Sequence, residues 1–257
     1  YMRRGEMSGE MMVCVVANGA ALHEEALLVE MLREAVPEIT GILLNINRER
    51  TNVVLGKTCR TLWGKDTITD TLCGLAFEIA PHAFYQVNRT QAERLYGKAA
   101  EYAGLTGAET LLDLYCGTGT IGLSMAKNAK KLIGAEIVPA AVENARRNAE
   151  RNAIQNAEFL CADAAEAARI LFERGEKPDV IVIDPPRKGC DSALIATIAA
   201  MRPKRVVYVS CDPATLARDL KLFGESGYKT ETVTPADMFP GTAHVETVVL
   251  LSKLNTK

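Results

Sequence analysis

The sequence predicts an α/β protein: a doubly wound, seven-stranded sheet with an antiparallel last strand, preceded by a small α/β domain. Three observations carry that prediction. From residue 109 onward, short apolar runs alternate with stretches of helical periodicity, the β–α–β rhythm of a parallel sheet covered on both faces. Polar and glycine-rich loops follow the ends of these runs, where an open sheet of this kind binds its ligands. The last two runs have no helix between them, so the final strand most simply enters antiparallel.

Residues 1–80 read as the small α/β unit. An apolar strand is expected at 11–17, helical spacing follows at 24–35, Pro37 stops that helix, and further strands are expected at 39–46 and 75–80. Residues 81–108 form a connecting segment that carries an amphipathic helix at 90–103. The domain at 109–257 then has strands at 110–115, 131–136, 158–161, 179–184, 205–210, 229–233 and 245–251. Helices at 122–128, 140–152, 164–174, 192–200 and 215–226 separate the first six. The link at 234–244 contains Pro235, Pro240 and Gly241.

Composition narrows the function classes. The 257 residues carry 30 basic and 32 acidic groups for a net charge of -2, so no strongly basic nucleic-acid footprint marks the whole chain. No apolar run approaches the roughly 18 residues needed to cross a bilayer, and Glu10 breaks any signal-peptide pattern. Seven cysteines occur without a C-x-x-C pair, which argues against a metal site within the chain and for a reducing, cytoplasmic setting. A monomer is expected. The chain begins at Tyr1, which reads as a fragment of something longer.

The strand ends define the chemistry. Strand one runs into Asp113-Leu-Tyr-Cys-Gly-Thr-Gly119, strand two ends at Glu136, and strand three is followed by Asp163. Strand four ends in Asp184-Pro-Pro-Arg187, strand five in Ser210-Cys211-Asp-Pro213, and an antiparallel last strand starts at the same edge with His244 and Glu246. One rim therefore gathers five carboxylates and a thiol. Each alone reads as a solvated loop residue; their coincidence on one edge does not.

The segment from Gly117 to Gly122 matches the dinucleotide fingerprint, and Glu136 lies where a ribose acid belongs, so a nicotinamide-dependent oxidoreductase is one reading. Asp113, four residues before the first glycine, stands where a dinucleotide fold keeps an apolar strand. S-adenosylmethionine has no pyrophosphate; for it the glycines simply let the backbone approach the ligand. Glu136 can then accept both ribose hydroxyls, and Asp163 can face the adenine amino group.

From about Phe77 to its end the sequence resembles the class I S-adenosylmethionine methyltransferases, and more narrowly the RNA uracil-5-methyltransferases. Phe84-Tyr-Gln-Val-Asn88 is similar to that family's F-x-Q-V-N motif, and residues 113–119 resemble its cofactor loop. Asp184-Pro-Pro-Arg-Lys-Gly189 and the segment from Tyr208 to Asp219 resemble its two active-site loops. Asp237-Met-Phe-Pro240 and His244-Val-Glu246 resemble its C-terminal signature. The resemblance implies Cys211 as nucleophile and Glu246 as base. It implies Gln86 and Asp184 as holders of cofactor and target base. Tyr115, Glu136 and Asp163 would line the cofactor site beside Asp113, Gly117 and Gly119. It further implies an RNA substrate, ribosomal RNA ahead of transfer RNA. The family's β-barrel RNA-binding domain and [4Fe–4S] cysteine cluster find no counterpart here, so a cluster is possible only in a region preceding this chain.

The chemistry explains these residue types. Carbon 5 of uracil is a poor nucleophile until a thiolate adds at carbon 6 and turns the ring into an enolate; cysteine is both a strong nucleophile and a good leaving group. A positioned carboxylate then removes the carbon-5 proton so that the thiolate can leave. The target base must be unstacked or single-stranded to be reached. Amino-group or cytosine-5 methylation, and an RNA-binding protein without catalysis, are the alternatives. Arg187 in place of an aromatic residue counts against the amino-group enzymes, which need no thiol. Cys14, Cys59, Cys73 and Cys161 are expected in or near the core.

Overall fold

The computed structural model describes residues 1–50 and 52–254, so the last three residues of the domain expected at 109–257 lie outside the described residues. The chain divides into two compact units, Tyr1–Leu72 with Ala76–Tyr85, and Cys73–Leu75 with Gln86–Lys257.

The first unit contains β1 (Met2–Arg4), β2 (Met11–Ala17), α1 (Glu25–Ala35), β3 (Ile39–Ile46) and β4 (Thr58–Gly64). The hairpin strands β5 (Ile68–Leu72) and β6 (Leu75–Ile79) follow. Strands β1 to β4 form one sheet in chain order. Only β2 and β3 are parallel, as the crossover through α1 requires. Alternation sends Met12, Cys14 and Leu43 to one core with Ile68 and Ile79. Val13 and Ile42 go to the other face, against Val29 and Leu32 of α1. Asp70, almost fully buried, accepts the backbone N–H groups of Glu6 (3.0 Å) and Met7 (2.8 Å) and so fixes the β1–β2 turn.

The second unit begins with α2 (Arg89–Ala103), β7 (Thr110–Leu114), α3 (Thr120–Ala126), β8 (Lys131–Glu136) and α4 (Pro139–Arg151). It continues through β9 (Ala157–Cys161), α5 (Ala164–Glu173), β10 (Val180–Ile183), α6 (Ser192–Met201) and β11 (Arg205–Ser210). It ends with α7 (Pro213–Glu225), β12 (Tyr228–Ala236) and β13 (Glu246–Lys253). The sheet order is β12-β13-β11-β10-β7-β8-β9, with β13 antiparallel to both neighbours. This is the seven-stranded, doubly wound sheet with a reversed last strand. The order reverses between β7 and β10, and a ligand crevice opens outside the strand ends at such a switch point.

Both faces are buried, which is why the central strands read as nearly unbroken apolar runs. Leu112, Leu114, Ile181, Ile183 and Tyr208 pack with Ala167 and Leu171 of α5, Ile195 and Ile198 of α6, and Phe223 of α7. Asp113, between two of these leucines, therefore faces the opposite side, where α3 lies, and its Oδ2 accepts the Gly122 N–H at 2.8 Å.

The structure departs from the sequence expectation in definable places. Strands β1, β4 and β5 were not expected; β1 is three residues long and β4 is largely exposed, so neither carries an apolar signature. Helix α3 starts at Thr120 because Gly119, at φ +86°, supplies the left-handed turn that admits the helix earlier. Strand β12 runs through Pro235 into the segment read as a link, which an edge strand tolerates. Cys161 is exposed rather than near the core, because it ends the edge strand β9. No helix among the described residues is long and apolar enough to cross a membrane.

Candidate active site

Two groups of side chains meet at the strand ends of the second unit. The first surrounds a cavity of about 680 Å³. Tyr115 lines it from the loop after β7, Glu136 from the end of β8, Asp163 from the start of α5, and Pro186 with Lys188 to Asp191 from the loop after β10. Glu136 accepts the Gly117 N–H at 3.1 Å and the Val138 N–H at 2.9 Å, so it is locked to the glycine loop. Asp163 caps α5 by accepting the Glu166 N–H at 2.9 Å, a role beyond the ligand contact the sequence suggested. Tyr115 sits at φ +67°, a conformation bulky residues avoid and that clusters at functional sites. Burial, and next the nearby Asp219 charge, push the Cys190 thiol in the cavity wall up to about 12. Cys190 is thus a neutral wall residue.

Asp113 lies fully buried in β7. Burial raises its carboxyl to about 7; the Gly122 N–H works against that, and the charge of Glu136 adds to it. Its Oδ1 has no hydrogen-bond partner among the described residues.

The second group is Asp184, Cys211, Glu246 and Arg187. Burial, then the charges of Glu246 and Asp113, push the Asp184 carboxyl up to about 8. Glu246 is buried, which raises its carboxyl, while Arg187 opposes the shift. Cys211, half-buried at the end of β11, is raised by burial and by the charges of Glu246 and Asp184, with Arg187 opposing. The thiol, the two carboxyl groups and the Arg187 guanidinium therefore act on one another's protonation. The Ser210–Asp212 turn that presents Cys211 is held by the Ser210 hydroxyl, which donates to the Asp212 carbonyl at 3.0 Å, and by Asp212 capping α7.

The structure thus gathers Tyr115, Glu136 and Asp163 around the cavity, with Gly117 tied to Glu136 and Asp113 beneath the glycine loop. Asp184, Cys211 and Glu246 form the neighbouring charge cluster. Gln86 is buried but is not among the cavity-lining residues. His244 is exposed, edge-on to the ring of Phe239 at 6.4 Å, a loop contact. Two contributors escaped sequence reading. Tyr96 of α2, fully buried, is raised first by burial and also by the charges of Asp184 and Asp113, so it lies beneath the site. Asp219 of α7, also fully buried, holds the cavity loop. Tyr96 reads in sequence as an ordinary helix position and Asp219 only as the last residue of the segment resembling an active-site loop, with no role of its own; their burial sets them apart.

The residues around the cavity fit S-adenosylmethionine. Two acidic side chains, Glu136 and Asp163, line the cavity and can accept hydroxyl and amino donors of a nucleoside. The glycine loop is tied to the cavity through the Gly117 N–H on Glu136.

Comparison with known proteins agrees with this geometry. Residues 57–254 match the family described as tRNA (uracil-5-)-methyltransferase. An uncharacterized RNA methyltransferase of Halalkalibacterium halodurans is 47% identical over 253 residues, 98% of this chain and 55% of its own length. One of Staphylococcus aureus is 49% identical over 251 residues, 98% of this chain and 55% of its own length. The chain spans about half the length of these relatives. Among solved structures, the Pyrococcus abyssi tRNA (uracil-54, C5)-methyltransferase in complex with S-adenosyl-L-homocysteine superimposes with a TM-score of 0.82 at 33% identity, covering 97% of this chain and 58% of that one. Trm5b of Pyrococcus abyssi, at 12% identity and a TM-score of 0.62 over 95% of this chain and 72% of that one, shares the fold alone. A family match over most of the chain, on the S-adenosylmethionine-dependent methyltransferase fold and with the acidic cavity at its switch point, makes this protein a member of the tRNA (uracil-5-)-methyltransferase family.

Proposed function

We propose that the protein methylates carbon 5 of a uridine in RNA, with Cys211 as the nucleophile and Glu246 as the base. The observation that carries this reading is the cluster of Cys211, Glu246, Asp184 and Arg187 beside the cavity lined by Tyr115, Glu136 and Asp163. When bound, S-adenosylmethionine supplies an electrophilic methyl group on its sulfonium. Glu136 and Asp163 hold its ribose and adenine, and Tyr115 packs along the nucleoside.

Burial and the neighbouring carboxyl groups raise the Cys211 thiol; Arg187 works against that shift without reversing it, so the nucleophile rests as the thiol and gives up its proton before it adds. The thiolate adds to carbon 6 of the uracil, and the ring electrons move onto the carbonyl oxygen at carbon 4. Carbon 5 would then attack the methyl group that the bound cofactor supplies, and the S–CH3 bond electrons would return to the sulfur of the departing S-adenosylhomocysteine. Asp184, raised to about 8, stays largely protonated at neutral pH and can donate a hydrogen bond to that oxygen as charge develops there. Glu246 removes the carbon-5 proton, and the carbon–sulfur bond breaks to return the Cys211 thiolate. A base kept from water by burial is suited to hold that proton until release.

The RNA class follows from two supports that differ. Ribosomal RNA is the substrate expected from the resemblance. The family description and the Pyrococcus relative favour transfer RNA. Nucleoside mass spectrometry on separated ribosomal and transfer RNA, from cells with and without the full-length gene, decides between them. Loss of 5-methyluridine from one fraction identifies the substrate; unchanged 5-methyluridine in both removes the proposed activity.

A further inference from the structure

The loop after β10 forms one wall of the cavity through Pro186, Lys188, Gly189, Cys190 and Asp191. It belongs to no strand or helix, so it needs another source of order. One carboxylate supplies it. Asp219 is completely buried; its Oδ2 accepts the Cys190 N–H at 2.7 Å and the Tyr208 hydroxyl at 2.7 Å, and its Oδ1 accepts Arg218 Nε at 2.8 Å. Arg218 Nη2 in turn donates to the carbonyls of Lys188 at 2.9 Å and Cys190 at 3.1 Å. The loop fits this clamp only because residue 189 has no side chain. Gly189 sits at φ +72°, and a Cβ there would lie 2.5 Å from Asp219 Oδ2 and 2.6 Å from Arg218 Nη2.

We propose that Asp219, supported by Tyr208 and Arg218, is a positioning residue for the cofactor cavity. By fixing the backbone of residues 188–190 it sets the wall against which S-adenosylmethionine or its demethylated product packs. This rests on the reading of the cavity as the cofactor site. Stability alone is a weak account of the arrangement, since the Arg218 side chain is half exposed and an ion pair with an exposed partner contributes little. A wall held to within a fraction of an ångström is what a preorganised binding site requires. Arg218 itself lines the cavity, so the decisive variants are at Asp219 and Tyr208, which do not.

Asp219→Asn keeps the shape but turns an amide NH2 toward converging donors. Tyr208→Phe deletes one hydroxyl and keeps the ring, so its packing is preserved. Calorimetry with S-adenosylhomocysteine, on protein shown to be folded by circular dichroism, gives the affinity, and hydrogen exchange at the Cys190 amide reports the clamp directly. Expected are binding by the unsubstituted protein, a loss of about tenfold or more in Asp219→Asn, and a loss of about two- to fivefold in Tyr208→Phe. Cys190 exchange should quicken in both variants. Unchanged affinity in Tyr208→Phe, with only its melting temperature lowered, reduces the network to a structural role and overturns the proposal even if Asp219→Asn does not fold. Absence of binding by the unsubstituted protein is a different result: it removes the cofactor reading, and the clamp proposal with it.

Discussion

Glu136 is held by two backbone N–H groups, from Gly117 and Val138, so its loss removes a ligand contact and loosens the glycine loop together. Hydrogen bonds to a charged group contribute about 1.5–3 kcal/mol each. Glu136→Ala should therefore weaken S-adenosylhomocysteine binding by about tenfold or more in calorimetry; equal affinity would remove the ribose assignment. Asp163→Ala should show a double effect of another kind, weaker binding and a stability loss of about 1 kcal/mol from the vacated cap of α5, measured by denaturant unfolding. A variant that loses stability but binds normally would leave Asp163 a cap alone. At this scale the strand-end positions of Cys211, Glu246, Glu136 and Asp163 were legible in the sequence because each follows or begins an apolar run, while their roles are the proposal made above. Asp219 was not, because a carboxylate in a polar helix sequence looks solvated, and only the packing of α7 against the loop after β10 removes it from water.

The elements place these residues through close helix–strand contact. Gly122 opens α3 directly over β7; a Cβ there would lie 2.7 Å from Asp113 Oδ2 and 2.9 Å from Leu132 Cδ1. Gly122→Ala should cost about 1–3 kcal/mol of stability through overpacking, read from the urea midpoint. A neutral result would mean that α3 can slide without disturbing Asp113. The third glycine of the loop thus serves helix packing, whereas the sequence alone suggested approach to the ligand. Most of the second unit was legible because buried parallel strands and amphipathic helices differ sharply in period. The first unit was less so. Strand β4 presents mostly exposed polar residues, and β5 and β6 turn tightly through Cys73 and Gly74, both at positive φ, where Cys73 gives no turn signal.

At the scale of the whole molecule, the site carries carboxyl groups that bind protons more tightly folded than unfolded. Asp113 rises from 3.8 to about 7 and Asp184 from 3.8 to about 8. Raised carboxyl values make their contribution to stability full below about pH 4 and lost as pH climbs through about 7 and 8, with a slope of up to about 1.4 kcal/mol per pH unit for each group. Stability should thus fall between about pH 4 and 8, and Asp113→Asn should flatten that fall; an unchanged slope would show that Asp113 is already ionised in the folded state. The central claim is that Cys211 adds to the base and Glu246 releases it. The direct measurement is a denaturing gel of the full-length protein with RNA and methyl-labelled S-adenosylmethionine. Glu246→Gln should still add and methylate, then stall, so a labelled protein–RNA band accumulates, since losing one positioned base costs about a hundred- to ten-thousand-fold in rate. Cys211→Ala should give neither band nor methylated product. A labelled covalent band in Cys211→Ala, or turnover at the unsubstituted rate in Glu246→Gln, would contradict the account.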